Sequence, residues 1–293
     1  MADIVITRKD TLVMIGAAQP TCIIGERINP TGKEWLKQAI REGNWERLGR
    51  LAREQVEAGA RIVDVNVTMA GVDEVQSLPR AVEAVQRAVA APLCLDSNNA
   101  RALEAALAAC DGKVILNSVD GTVERLQAIL PLAKRHGSAV IGLTMDTESG
   151  IPKTVKRRVA IARRIRDAAE AAGVGPENLI IDCLTLAVSA DQSMGPVALE
   201  TIRTVSTELG LNVNMGVSNV SFGLPERGLL NATFIAMACA AGLTCAIVNP
   251  HSAQVVMALK ASDVLLGRDN RSRNFLRSYR ARMKGKESER ENH

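Results

Sequence analysis

Aromatic residues are almost missing from this chain: two tryptophans, one tyrosine and three phenylalanines make up 2% of its 293 residues. Proteins that bind single-stranded nucleic acids stack bases on aromatic side chains, and a net charge of only +4 adds little attraction for phosphates. We therefore expect no nucleic-acid partner. Because 47% of the residues are nonetheless hydrophobic, the core must consist of Ala, Val, Leu and Ile.

Metal-binding patterns are also missing. The chain has three histidines and six cysteines, and no two cysteines stand in a CxxC spacing. This argues against a structural zinc site or an iron–sulfur cluster, and we expect no bound metal. The cysteines are interpreted as free thiols that fill the core.

Long apolar segments do not occur either. No run approaches the ~18 residues of a membrane span, and the first ten residues, MADIVITRKD, lack the apolar segment of a signal peptide. We therefore expect a cytoplasmic protein without membrane contact. Its length fits one large α/β domain or two ordinary ones.

Short apolar runs alternate with longer amphipathic segments after a leader that ends at Pro20. Strands are predicted at residues 21–26, 61–67, 92–96, 113–119, 139–145, 179–186, 212–217 and 245–249. Helices are predicted at residues 45–58, 80–90, 100–110, 123–136, 155–172, 196–209, 229–241 and 253–266. This repeated alternation predicts an α/β fold, a closed (β/α)8 TIM barrel, over residues 1–267. A doubly wound open sheet is the alternative, but no GxGxxG or GxxxxGK[ST] motif follows a strand.

Two segments are rich in basic residues. Residues 268–293 are interpreted as a last helix on the barrel followed by a solvated end, with a docking element for a partner as the alternative. The basic residues between 153 and 166 are interpreted mainly as a solvated helix face, although Lys153 lies in a loop where it could meet an anionic ligand.

Polar residues stand at the carboxyl end of nearly every predicted strand, and a barrel places these ends on one rim where ligands bind. They include Glu26, Asp64, Asn66, Asp96, Asn117, Asp182, Ser218, Asn219 and Asn249. For any single residue, helix capping or turn formation is as good an explanation as ligand binding. So many polar residues on one rim nevertheless indicate a ligand site. A carboxylate accepts two parallel N–H bonds, and Asn offers both a donor and an acceptor. The set therefore favours a flat ligand rich in N–H groups, such as the 2-amino-4-oxopyrimidine edge of a pterin.

The motifs around these residues resemble those of a known family. They are IIGERINPTGK (23–33), DVNV (64–67), LCLDS (93–97), ILNSVDG (115–121), IGLTM (141–145), GIPKT (150–154) and GVSNVSFGLPERGLLN (216–231). Together they are similar to blocks of methyltetrahydrofolate:corrinoid methyltransferases and of the folate module of cobalamin-dependent methionine synthase. The resemblance implies a pterin-binding TIM barrel, usually homodimeric, that moves a methyl group between tetrahydrofolate and a corrinoid protein. Such transfer serves O-demethylation or acetogenic one-carbon metabolism.

The resemblance also implies roles for individual residues. Asp96, Asn117 and Asp182 match the residues that bind the pterin, and Asp64 and Asn66 match residues that support them at the bottom of the same site. Asn219 matches the residue beside the methyl-bearing N5. Arg227 matches a further ligand contact. Glu26 is placed with the substrate-binding set. The chain departs from its relatives in two places: Cys183 follows Asp182 where many have proline, and Phe222 stands where some have an amide.

The expected reaction places 5-methyltetrahydrofolate in the barrel and Co(I) of a corrinoid in line with its methyl group. Asn219 is expected to hydrogen-bond N5 while solvent or an Asp-linked water supplies the proton. Because no Asp-x-His-x-x-Gly segment occurs, we expect a separate protein to carry the corrinoid. Two alternatives stay open: a non-catalytic folate-binding module and an enzyme like dihydropteroate synthase. Dihydropteroate synthases have basic residues in their sixth-strand and seventh-strand segments, and the corresponding stretches here, DCLTL and SNVS, have none. The direction of transfer is also open.

Overall fold

Two β-sheets form the scaffold of the computed structural model, which describes residues 1–280 and Met283. The first is an antiparallel hairpin of β1 (Ile4–Arg8) and β2 (Thr11–Ile15). The second contains β3 (Cys22–Ile28), β4 (Ile62–Asn66), β5 (Leu93–Asp96), β6 (Ile115–Val119), β7 (Ala139–Leu143), β8 (Leu179–Asp182), β9 (Asn212–Asn214) and β10 (Cys245–Val248). These eight strands are parallel, in the order β10-β3-β4-β5-β6-β7-β8-β9. A parallel bridge between Gly216 and Ile247 joins the two ends, so the predicted (β/α)8 barrel is confirmed.

Helices follow the barrel strands and cover them. They are α1 (Glu34–Arg41), α2 (Trp45–Glu57), α3 (Glu74–Ala88), α4 (Ala100–Ala109), α5 (Val123–His136), α6 (Val155–Ala171), α7 (Met194–Glu208), α8 (Arg227–Ala241) and α9 (Ala253–Leu265). The sequence did not predict α1. It also placed the start of α3 at residue 80, but the helix begins at Glu74 and contains Pro79. Asp73 starts this helix by accepting a hydrogen bond from Val75 N at 2.9 Å.

Two barrel strands end earlier than the sequence predicted. Strand β8 ends at Asp182 rather than residue 186, because Leu184 adopts a left-handed φ of 48° that turns the chain. Strand β9 ends at Asn214 rather than residue 217, and a 3-10 turn at Val217–Asn219 follows it. Both early endings move polar side chains onto the rim formed by the carboxyl ends of the strands.

The hairpin β1–β2 closes the opposite end of the barrel, where the sequence had predicted only a leader. Ile4, Ile6, Val13 and Ile15 are buried in one cluster with inward-facing residues of the barrel strands. The other face of the hairpin is exposed, which gives the alternation of a half-buried sheet. One end of the barrel is therefore filled by apolar side chains, and the rim at the other end carries the polar residues.

We expect Ile6→Val to lower the free energy of unfolding by about 1 kcal/mol, because it removes a buried methylene group. The matched control is Val5→Ala on the same strand, whose side chain is 39% exposed and should change stability by less than about 0.5 kcal/mol. Urea unfolding followed by circular dichroism measures both. Equal losses would show that the hairpin does not close the barrel in solution.

The start of the basic C-terminal segment is bound to the barrel. Arg268 donates hydrogen bonds to Leu243 O at 2.9 Å and Cys239 O at 3.3 Å. Asp269 accepts bonds from Asn274 N and Phe275 N at the start of a helix over residues 273–280. The rest of the predicted solvated end lies outside the described residues, apart from Met283. Within residues 1–280 and Met283, no helix is long and apolar enough to cross a membrane.

Candidate functional site

Two acids and two amides form hydrogen-bonded pairs across the carboxyl ends of β4, β5 and β6. Asn66 Nδ2 donates to Asp96 Oδ2 at 2.8 Å, and Asn117 Nδ2 donates to Asp64 Oδ1 at 3.2 Å. The parallel register places Asn66 beside Asp96 and Asp96 beside Asn117. The structure therefore brings together four of the residues that the sequence predicted for the site.

A second acid–amide pair lies on β8 and β9. Asp182 Oδ2 accepts a hydrogen bond from Asn214 Nδ2 at 2.6 Å, and its Oδ1 accepts one from Leu184 N at 2.8 Å. The other amide atom, Asn214 Oδ1, is buried and has no hydrogen-bond partner among the described residues. Sequence analysis missed Asn214 because it extended the strand to residue 217. The alternation of Asn212, Val213 and Asn214 was the signal that marked it.

Burial makes these carboxyl groups hard to ionise. It raises the pKa of Asp64 well above its ordinary value, and the neighbouring charge of Asp96 raises it further. Burial also raises the pKa of Asp96, and it raises that of Asp182 to about 6, partly offset by the bonds from Leu184 N and Asn214. A ligand that brought N–H donors to these oxygens would compensate their lost hydration, so the rim is suited to a donor-rich ligand.

A hollow of about 280 Å³ opens on the rim beside β3 and β10. Its polar lining consists of Glu26, Arg27, Ser218, Arg227, Asn231, Asn249 and Ser252. Burial raises the pKa of Glu26, while the charges of Lys33 and Arg27 lower it in part. Asn231 Oδ1 is buried there without a hydrogen-bond partner among the described residues. Glu26 and Arg227, both predicted site residues, thus line the same part of the rim.

Asn219 lies at the end of the 3-10 turn that follows β9, with its side chain exposed. No described residue hydrogen-bonds the side-chain amide. Arg227 holds this turn in place: its Nη2 donates to Ser218 O at 2.7 Å and its Nε donates to Ser221 Oγ at 3.1 Å. Its guanidinium also lies 5.9 Å from the ring centre of Phe222. Arg227 therefore contacts the loop that carries Asn219, and Phe222 takes part in that contact.

Arg158 is a residue of this region that sequence analysis placed on a solvated helix face, and that interpretation is wrong for it. The side chain is completely buried. Its Nη1 donates to Cys183 O and Leu184 O, both at 2.7 Å, directly after Asp182. Cys183 donates its own N–H to Asn214 O at 3.4 Å. Arg158 therefore fixes the backbone that positions the Asp182 carboxyl group.

Comparison with known proteins decides the family. Residues 25–249 match the family model described as pterin binding enzyme. The chain belongs to the pterin binding enzyme family. Every predicted site residue, from Glu26 to Arg227, lies inside the matched segment. The family resemblance inferred from the motifs is therefore confirmed.

The chain is also similar to individual proteins. The chain is 31% identical over 263 residues to the methylcorrinoid:tetrahydrofolate methyltransferase of Eubacterium limosum, covering 88% of this chain and 96% of that protein. It is also 31% identical over 247 residues to methionine synthase of Mycobacterium leprae, covering 80% of this chain and only 20% of that much longer protein. Among solved structures, dihydropteroate synthase of Xanthomonas albilineans superimposes with a TM-score of 0.64 at 20% identity, over 90% of this chain and 98% of that one. This last similarity shows the shared barrel fold.

The polar side chains at the rim of this pterin binding enzyme are amides and carboxyl groups. Within the part of the chain that the structure describes, no group of three or more His, Cys, Asp or Glu side chains is placed to hold a metal ion. The acids are instead paired one by one with amides.

Proposed function

We propose that this protein is a methyltransferase that moves a methyl group between N5 of tetrahydrofolate and the cobalt of a separate corrinoid protein. One observation carries the proposal: the similarity to the Eubacterium limosum enzyme extends over 96% of that protein. The chain therefore has a counterpart for nearly every segment of that relative. Tetrahydrofolate and 5-methyltetrahydrofolate are its substrates, and the corrinoid reaches the site on a partner.

The pterin lies, in this proposal, across the rim between the two acid–amide groups. Asp96, Asn117 and Asp182 bind its N–H donors and lactam edge, because carboxylates and amides match that pattern. Asp64 and Asn66 hold Asn117 and Asp96 in place through the hydrogen bonds that join each pair. Glu26 and Arg227 line the adjoining hollow.

Asn219 acts on the reacting nitrogen. When cobalt(I) attacks, the methyl carbon–N5 bond breaks, a cobalt–carbon bond forms, and N5 keeps the electron pair and receives a proton. The exposed amide of Asn219 hydrogen-bonds N5 as charge develops, while solvent or a water held by a carboxyl group supplies the proton. The same groups serve the reverse transfer, so the pathway, O-demethylation or acetogenic metabolism, sets the direction.

The partners follow from this chemistry. A separate corrinoid protein brings cobalt(I) and docks over the rim, as the name of the Eubacterium limosum relative supports. We also propose a homodimer, supported by exposed apolar side chains on α8 and α9: Leu229, Met237 and Leu265. We place the protein in the cytoplasm, where a strongly reducing cobalt(I) centre is maintained.

Single-turnover mixing tests the proposal. The protein is combined with 5-methyltetrahydrofolate and free cob(I)alamin, and we expect the absorption spectrum of methylcobalamin to appear. A folate-storage module would bind the folate without methylating cobalt. A dihydropteroate synthase would instead condense a pterin pyrophosphate with p-aminobenzoate, and either result would contradict the assignment.

A further inference from the structure

Two further hollows are lined by residues of α2. The first, of about 450 Å³, is lined by Arg27, Trp35, Arg47, Arg50, Glu54 and His251. It shares Arg27 with the hollow that Glu26 and Arg227 line, so the two hollows are neighbours. The second, of about 370 Å³, lies between α2 and α3 and shares Arg50 with the first.

The arginines along this path form one charged surface, which we call the arginine strip. It consists of Arg27, Arg47, Arg50, Arg53 and Arg87. Arg47, Arg50 and Arg53 are spaced three residues apart on α2, a rise of about 4.5 Å per step. The strip therefore presents cations in succession from the rim outward.

The arginine strip is short of counter-charge. Among the described residues, Arg27, Arg47, Arg50 and Arg53 form no ion pair, and only Arg87 has one, with Glu83 at 3.8 Å. Arg47 lies over the Trp35 ring at 4.6 Å, which leaves its edge available to an anion. By contrast, Arg157, Arg163 and Arg166 on α6 are each paired with an acid. Glu46 and Glu54 also line the two hollows, but among the described residues neither forms an ion pair with an arginine of the strip. The five arginines therefore leave a groove with an excess of positive charge, which is suited to an anionic ligand.

We propose that the arginine strip binds the glutamyl tail of the folate and selects substrates that carry several γ-linked glutamates. The inference rests on the proposed function, because a pterin held at the rim must direct its tail out through the mouth. Each added γ-glutamyl residue brings one carboxylate, and a guanidinium can hold a carboxylate through two parallel hydrogen bonds. Arg27 takes the first carboxylate, and Arg47, Arg50 and Arg53 take those that follow.

Calorimetry on the full chain tests this inference with two probes, 5-methyltetrahydrofolate as the monoglutamate and as the pentaglutamate. We expect the pentaglutamate to bind about tenfold more tightly, because several exposed ion pairs add small contributions. Arg50→Glu, at the residue shared by both hollows, should remove most of this difference and leave monoglutamate affinity within about twofold. The matched control is Arg277→Glu, an exposed arginine of the C-terminal helix without an ion pair among the described residues.

Salt gives a test that needs no variant. About 0.5 M NaCl should abolish the advantage of the pentaglutamate in the unmodified protein, since exposed charges are screened at that ionic strength. Equal affinity for both probes at low salt would overturn the inference while leaving methyl transfer intact. So would an Arg50→Glu variant that raises KM for the corrinoid protein but keeps the tail-length effect, because the strip would then be a protein-docking surface. Failure of both folates to bind would overturn the proposed function as well.

Discussion

Replacing Asn219 with alanine is expected to slow methyl transfer by about 10²–10³-fold while changing folate affinity by less than about threefold. The reason lies in the placement of the side chain, which is exposed at the end of the turn after β9 and bonded to no described residue. It is therefore free to contact N5 and supports little of the fold. A hydrogen bond that strengthens only as charge develops on N5 lowers the barrier without tightening the bound substrate.

Single-turnover rates with cob(I)alamin and folate affinity by calorimetry separate the two effects for Asn219→Ala. The control is Asn270→Ala, an exposed asparagine in the turn before the C-terminal helix, which should leave both quantities unchanged. Equal losses of rate and affinity would make Asn219 a binding residue. The thermal unfolding midpoint should stay the same in both variants, because neither side chain is hydrogen-bonded to a described residue.

The second large effect is expected at Asp182, where Asp182→Asn should weaken folate binding by about 10–100-fold at pH 8. Its carboxylate already accepts bonds from Leu184 N and Asn214 Nδ2, and the pterin is proposed to add N–H donors to the same oxygens. Charge-assisted hydrogen bonds contribute about 1.5–3 kcal/mol each, which is more than a hydrogen bond to the amide oxygen of asparagine contributes. Because the pKa of Asp182 is about 6, folate affinity of the unmodified protein should fall as pH drops through 6. The variant should lose the part of the pH dependence that Asp182 causes, while Asp96 keeps its own contribution.

The same substitution should stabilise the free protein. Burial raises the pKa of Asp182 from 3.8 to about 6, so ionisation favours the unfolded state. For an acid with a raised pKa this cost is absent below about pH 4, grows between pH 4 and 6, and is complete above pH 6. Asp182→Asn should therefore increase the free energy of unfolding at pH 8 by up to about 3 kcal/mol, with little gain at pH 4.

Denaturant unfolding at both pH values measures this gain. Asp191→Asn is the opposite control, because the Ser193 hydroxyl and N–H lower the pKa of this half-buried acid and its charge favours the folded state. It should not raise stability at pH 8, and folate affinity should remain unchanged. A destabilised Asp182→Asn variant would mean that the carboxylate is held by more donors than the described residues provide.

Local patterns explain why so much of the barrel was predictable. Each strand is a short apolar run and each helix is an amphipathic segment. Both patterns can be recognised from residues that are close together in the sequence. Parallel strands that alternate with helices must end on one rim, so Asp64, Asp96 and Asp182 could be grouped before their contacts were known. Pro79 shows the limit of such reasoning, because it lies inside α3 although proline ordinarily ends a helix.

The sequence by itself determined the family, the alternation of strands and helices, and the acids and amides at the strand ends. Only the tertiary structure decided that Asn214 pairs with Asp182, that Arg158 is buried beneath their loop, and that residues 4–15 close the barrel. The same holds for the arginine strip, since Arg27 and Arg87 come from different elements. The physical reason is that periodicity is local, whereas burial, strand register and missing counter-charge depend on residues far apart in the chain.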